Sequence, residues 1–109
     1  MKRQTLISSL ILLFAASFAT AATINVPDDY GTIQEAIVAA VDGVDDVNVD
    51  PNTYFENIDF LGKDIDVHSS DVNNPANTII DGNTNGSVVT FENCGPGAKL
   101  RGYPQKRFV

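Results

Sequence analysis

The 109-residue sequence contains one cysteine, one histidine and almost no positive charge along most of its length. The lone cysteine, Cys94, excludes an internal disulfide. Between Ala22 and Ala98 the only Lys or Arg is Lys63, while all fourteen Asp and Glu lie between Asp28 and Glu92. An acidic body of this kind repels phosphates and anionic lipid, which excludes nucleic acid as a partner. No glycine-rich loop leads from a strand into a helix, so nucleotide binding has no support. Four basic residues, Lys99, Arg101, Lys106 and Arg107, crowd into the last eleven positions.

Long apolar runs occur in one place. Met1-Lys2-Arg3 is a basic start, Leu6 to Phe18 is apolar with small residues, and Ala19-Thr20-Ala21-Ala22 has small-x-small spacing. This predicts a secretory signal peptide over residues 1–21. The run is short of the ~20 residues of a comfortable membrane span. Secretion to the extracellular space or cell envelope follows, with no stable membrane span after signal removal. The mature chain of fewer than ninety residues is then a single small domain with a thin core.

The pattern within that domain changes once. Thr23 to Val26 alternates and meets Pro27, a short strand. Thr32 and Glu35 form a T-x-x-E capping box, in which Glu35 reaches back to the Thr32 amide. Ile33, Ala36, Ile37, Ala40 and Val41 make one helical apolar stripe, and Gly43 is suited to a left-handed cap. From there the period is two: Val47/Val49, Ile58/Phe60, Ile65/Val67, Ile79-Ile80, Ser87 to Phe91, and Lys99 to Arg101. The linkers are rich in Asn, Asp, Gly and Pro. The prediction is an all-β fold, either a meander sandwich or a parallel solenoid. "SSDVNNPAN" is too long for a tight hairpin, and a lone amphipathic helix before the strands suits a solenoid cap.

"TIQEAI", Asp-Gly, a V-x-V strand and "PNTYFEN" together resemble the opening of right-handed parallel β-helix proteins, the pectin-lyase-like family. The resemblance extends through "KDIDVHSSDVNNPANTIIDG" and "GSVVTFEN", over roughly residues 24–101. It implies a right-handed parallel β-helix solenoid fragment with an N-terminal amphipathic capping helix: cap and first coils over 22–102, and an aberrant basic tail over 103–109. In this comparison Ile33, Ala36 and Ile37 bury the cap helix, Tyr54 lies across the coil, and Glu56-Asn57 marks the next corner. "YPQKRFV" departs from the family pattern, as a truncated or frame-shifted reading of a longer protein would. The family's catalytic groups sit on later coils, so no catalytic residue is carried over.

"DGNTNGSVVTFE" matches the EF-hand loop pattern at Asp81, Asn83, Asn85, Gly86 and Glu92. Its flanks read as strand and turn rather than helix, so Asp81, Asn83, Asn85 and Glu92 are at most a weak calcium site and "DGNTNG" a structural corner. His68 alternates outward, and no metal site is argued from it. Asp64, Asp66 and Asp71 read as solvated, and Asp28-Asp29 and Asp45-Asp46 as turn carboxylates. Asn85-Gly86-Ser87 is a glycosylation sequon. The expected function is that of a secreted parallel β-helix fragment, carbohydrate-interacting or structural at a cell surface, non-catalytic in this form, and lacking a cofactor. The alternative is a fragment of a polysaccharide lyase, glycoside hydrolase or pectin-type esterase. Expected partners are extracellular polysaccharide and, through an exposed coil end, a second copy of the chain.

Overall fold

The computed structural model describes residues 20–104. Most of the expected signal peptide and the end of the basic tail lie outside them. No helix of the described residues is long and apolar enough to cross a membrane.

The described elements are strand β1 (Thr23–Val26), helix α1 (Ile33–Ala39), strands β2 (Asp46–Val49), β3 (Asn52–Tyr54), β4 (Ile58–Asp59) and β5 (Asp66–Ser69), a 3-10 turn (Pro75–Asn77), and strands β6 (Thr78–Ile80), β7 (Val89–Thr90) and β8 (Lys99–Arg101). They form a four-stranded sheet in the order β1-β2-β5-β8 and two two-stranded sheets, β3-β6 and β4-β7. Every described pairing is parallel. A meander would instead pair neighbours antiparallel. After α1 the chain places β2, β3 and β4 in the three sheets in turn. It then lays β5, β6 and β7 beside them in the same order, and β8 returns to the first sheet. The second passage is longer because it carries the 3-10 turn and the Asp81–Gly86 turn.

Alternation sends one row of side chains inward. Ile24, Val47, Val67 and Leu100 stand in register across the large sheet, and Val26, Val49 and Ser69 follow as the next inward row. Ile33, Ala36, Ile37, Ile58 and Phe60 join this core and are essentially inaccessible. Ser69 and Thr78 are buried as well, but their hydroxyls bond to each other at 2.8 Å, which removes most of the cost of burying them. The Tyr54 ring is buried and its hydroxyl donates to the Asp50 carbonyl at 2.7 Å.

Four local expectations are revised. Glu35 reaches the Thr32 hydroxyl, at 2.8 Å, rather than the Thr32 amide. The helix ends at Ala40 in extended conformation, and Gly43 (φ +71°) belongs to the following turn. Val41 is therefore half exposed instead of part of the apolar stripe. Tyr103, grouped by sequence with the tail, packs into the core and is 8% exposed.

Candidate functional site

Two features concentrate polar chemistry. The first is the junction of α1 with β4. Thr32 is extended (φ −126°, ψ 155°) and its hydroxyl accepts from the Glu35 amide at 3.1 Å. The Glu56 carboxylate accepts from the amides of Ile33 and Gln34 at 2.9 and 3.0 Å. An anion at these otherwise orphaned donors is favoured by the helix dipole as well. At the other end the Lys63 ammonium donates to the carbonyls of Ile37, Val38 and Ala40 at 2.7, 2.8 and 2.6 Å. The one cation of the acidic body is thus a helix C-cap. Lys63 is aimed by a turn in which Leu61 (φ 57°) and Gly62 (φ 71°) are both left-handed and the Lys63 amide bonds the Phe60 carbonyl at 3.0 Å. Between the two ends, the Gln34 carboxamide accepts from the Asp59 amide at 2.7 Å and donates to the Asp59 carbonyl at 3.0 Å. That pair of bonds is what a neighbouring strand would supply, so Gln34 closes the edge of β4 on its helix side.

The second feature is the outward face of the large sheet. The parallel register lines up Thr23, Asp46, Asp66 and Lys99 in one row and Asn25, Asn48, His68 and Arg101 in another. His68 Nε2 lies 2.7 Å from the Asp46 carboxylate, and Thr23 Oγ1 donates to the other Asp46 oxygen at 2.8 Å. Partial burial would raise the Asp46 pKa, but the hydrogen bonds from His68 and Thr23 and the His68 charge together outweigh it, and the group sits below its ordinary value of 3.8. Arg101 holds Asp66 Oδ2 through both Nε, at 2.8 Å, and Nη2, at 2.7 Å. The Asp66 hydrogen bond and charge push the guanidinium pKa further up. Asp66 Oδ1 is buried and has no partner among the described residues. Asn48 donates to Asn25 at 3.1 Å.

This face presents two rows of hydrogen-bonding side chains, donors and acceptors together, on the outer side of the parallel sheet, groups able to meet a hydroxyl-rich ligand. Asp46 occupies His68 Nε2, and His68 Nδ1 faces the Ser69 carbonyl at 3.4 Å, so neither nitrogen is paired with a side-chain nucleophile.

The residues singled out by sequence are dispersed. Asp81 Oδ1 accepts from the Asn83 amide at 2.8 Å, and the loop runs between β6 and β7 with Asn83 and Thr84 left-handed. Glu92 is exposed beyond β7. No group of three or more His, Cys, Asp or Glu able to hold a metal ion occurs among the described residues. Asp29 and Asp45 close local turns, accepting from the amides of Asn25 and Val41 at 2.8 and 2.9 Å. Asp71 accepts from the side chains of Asn74 and Asn77. The Asp64 carboxylate lies where a Cβ on Gly95 or Gly97 would fall, so both positions must be glycine unless Asp64 moves. Cys94 is half-buried, with Sγ 3.6 Å from the Glu92 carbonyl.

Sequence reasoning missed the Asp46–His68 and Asp66–Arg101 pairs and the bracing of α1 by Gln34, Glu56 and Lys63. The pairs join residues more than twenty positions apart, and only strand register identifies them. The isolation of Lys63 in an acidic chain was the one available signal for the brace. Comparison with protein-family models, with curated proteins and with solved structures returns no match for this chain.

Proposed function

We propose that this chain is the helix-capped beginning of a secreted right-handed parallel β-helix, and that it acts as a non-catalytic, carbohydrate-contacting structural module. The observation that carries the reading is the repeated passage of the chain through three parallel sheets in one order, with a braced helix at the start. Parallel crossovers within one sheet are right-handed in nearly all proteins, which supplies the hand. Repeating coils build long flat faces, and the polar rows Thr23/Asp46/Asp66 and Asn25/Asn48/His68/Arg101 would meet the hydroxyl groups of an extracellular polysaccharide. No resident cofactor enters this reading, and calcium at the Asp81–Glu92 loop would bind at most near millimolar.

Affinity electrophoresis of the mature chain against a panel of neutral and acidic polysaccharides tests the carbohydrate arm. Retarded migration in at least one gel, lost in Asn48→Ala/Arg101→Ala, is expected; unretarded migration in every gel sinks it. A second reading is favoured by the Asp46–His68 and Asp66–Arg101 pairs, since carboxylates and a histidine on an outer sheet face are groups that polysaccharide lyases, hydrolases and esterases employ. That reading requires release of reducing ends, unsaturated uronates or methanol from a polysaccharide. The structural reading expects none.

A further inference from the structure

The Asp81–Gly86 corner contains the sequence's one Asn-Gly dipeptide, Asn85-Gly86. Both residues are exposed, and Gly86 is left-handed (φ +83°). A Cβ placed on Gly86 would meet nothing within 4 Å, so the space beside this peptide is open. The Gly86 amide donates no backbone hydrogen bond among the described residues, whereas the Asn85 amide is fixed to the Gly82 carbonyl at 3.1 Å. The carbonyl of the Asn85-Gly86 peptide accepts from Asn57 Nδ2 at 3.1 Å, and the same Nδ2 donates to the Ser87 carbonyl at 2.9 Å. Asn57 therefore grips the chain on both sides of Gly86 and withdraws electron density from the peptide whose nitrogen is free.

We propose that Asn85 is a site of spontaneous deamidation in the folded protein, with Asn57 as the positioning residue that activates the attacking amide. Base removes the Gly86 N–H proton. The nitrogen forms a bond to Asn85 Cγ, the Cγ–Nδ2 bond breaks, and ammonia leaves, giving a five-membered succinimide. Water then adds at either imide carbonyl, opening the ring to aspartate or isoaspartate. Asn and water become Asp or isoAsp and ammonia, with no redox change. A hydrogen bond to the Asn85 carbonyl stabilises the amide anion formed in the first step, because the negative charge is shared with that oxygen. Glycine at 86 leaves the approach to Cγ unhindered. The product adds a negative charge in the corner that already holds Asp81 and removes the Asn85-Gly86-Ser87 sequon. In the isoaspartyl form the main chain runs through Cγ and gains a methylene, and the former Asn85 peptide carbonyl that accepts from Asn57 becomes part of a free carboxylate.

The test is peptide mapping by mass spectrometry during incubation of the full chain between pH 6 and 9, beside a synthetic peptide of residues 80–90. The expected result is a one-dalton gain confined to Asn85, rising with pH, and at least as fast in the folded chain as in the peptide at each pH. Asn57→Ala is expected to slow it several-fold, to the peptide rate or below, with Asn85 still the modified residue. Slower conversion in the folded chain than in the peptide overturns the proposal, as does faster conversion in Asn57→Ala. The comparison with the peptide decides the matter even where Asn57→Ala fails to fold.

Discussion

Single side chains in this protein work mainly by satisfying backbone groups that its short elements leave open. Leu61 shows the strain this creates: a half-exposed leucine at φ 57° sits in the turn that aims Lys63. A left-handed conformation costs an ordinary L-residue roughly 1–2 kcal/mol, and asparagine tolerates it better. Leu61→Asn should therefore raise stability by about 0.5–1 kcal/mol, read as a higher urea midpoint. An unchanged or lower midpoint would show that the leucine side chain contributes packing that outweighs its strain. Asp46 makes a pH-dependent contribution. Its pKa is depressed in the folded state, so the stabilisation is present above the unfolded value, about 3.9, and is lost as pH falls through the lower folded value. The melting temperature of the wild type should fall more steeply below pH 4 than that of Asp46→Asn. Parallel curves for the two proteins would remove Asp46 from the acid transition.

At the scale of elements, α1 is too short to persist alone. Burial of Ile33, Ala36 and Ile37, with Glu56, Gln34 and Lys63 around it, holds it in place. Ile37→Asp puts a carboxylate into a fully inaccessible position. The expected loss is several kcal/mol, a large part of the 5–15 kcal/mol typical of small domains. A thermal melt with an undiminished midpoint would take the helix out of the core. Gln34→Ala is subtler, because it reopens the β4 edge without disturbing the apolar stripe. The cost should be about 1–3 kcal/mol from the unsatisfied Asp59 groups. Amide exchange at Asp59 should accelerate ahead of its neighbours; unchanged exchange there would mean that Gln34 does not close the edge.

At the scale of the whole molecule, the two ends of the stack differ. At the α1 end Gln34 closes the β4 edge, while β1 and β3, like β6, β7 and β8, each have one described strand neighbour. Ile79 on β6 and Phe91 after β7 remain substantially exposed, although Phe91 stacks on Phe60 with ring centroids 4.2 Å apart. Parallel strand edges beside apolar side chains are templates for association. The isolated chain from residue 22 onward is accordingly expected to self-associate at micromolar concentrations, by light scattering, and Ile79→Lys to shift it toward monomer. A monodisperse monomer across the concentration range would argue that Tyr103 and the chain around it already close this end.

The sequence by itself determined the local elements. The T-x-x-E box, the stripe at Ile33, Ala36, Ile37, Ala40 and Val41, and the alternation at Val47/Val49 and Ile65/Val67 specify helix and strands through side-chain periodicity alone, and the buried sets match except at Val41. The turns at Asp81–Gly86 and Gly43 were marked by Asn and Gly, which tolerate left-handed backbone, although the left-handed Thr84 and Leu61 carried no such mark. Tertiary structure decided which strand lies beside which. Register then turned Asp46, His68, Asp66 and Arg101, each an unremarkable surface residue in sequence, into two hydrogen-bonded pairs. It likewise gave Lys63 its helix and Glu56 its amides, and drew Tyr103 into the core. The reason is physical: periodicity is set by neighbours one turn or two residues away, whereas these contacts join residues twenty or more apart, where only the stacking of parallel strands fixes the partner.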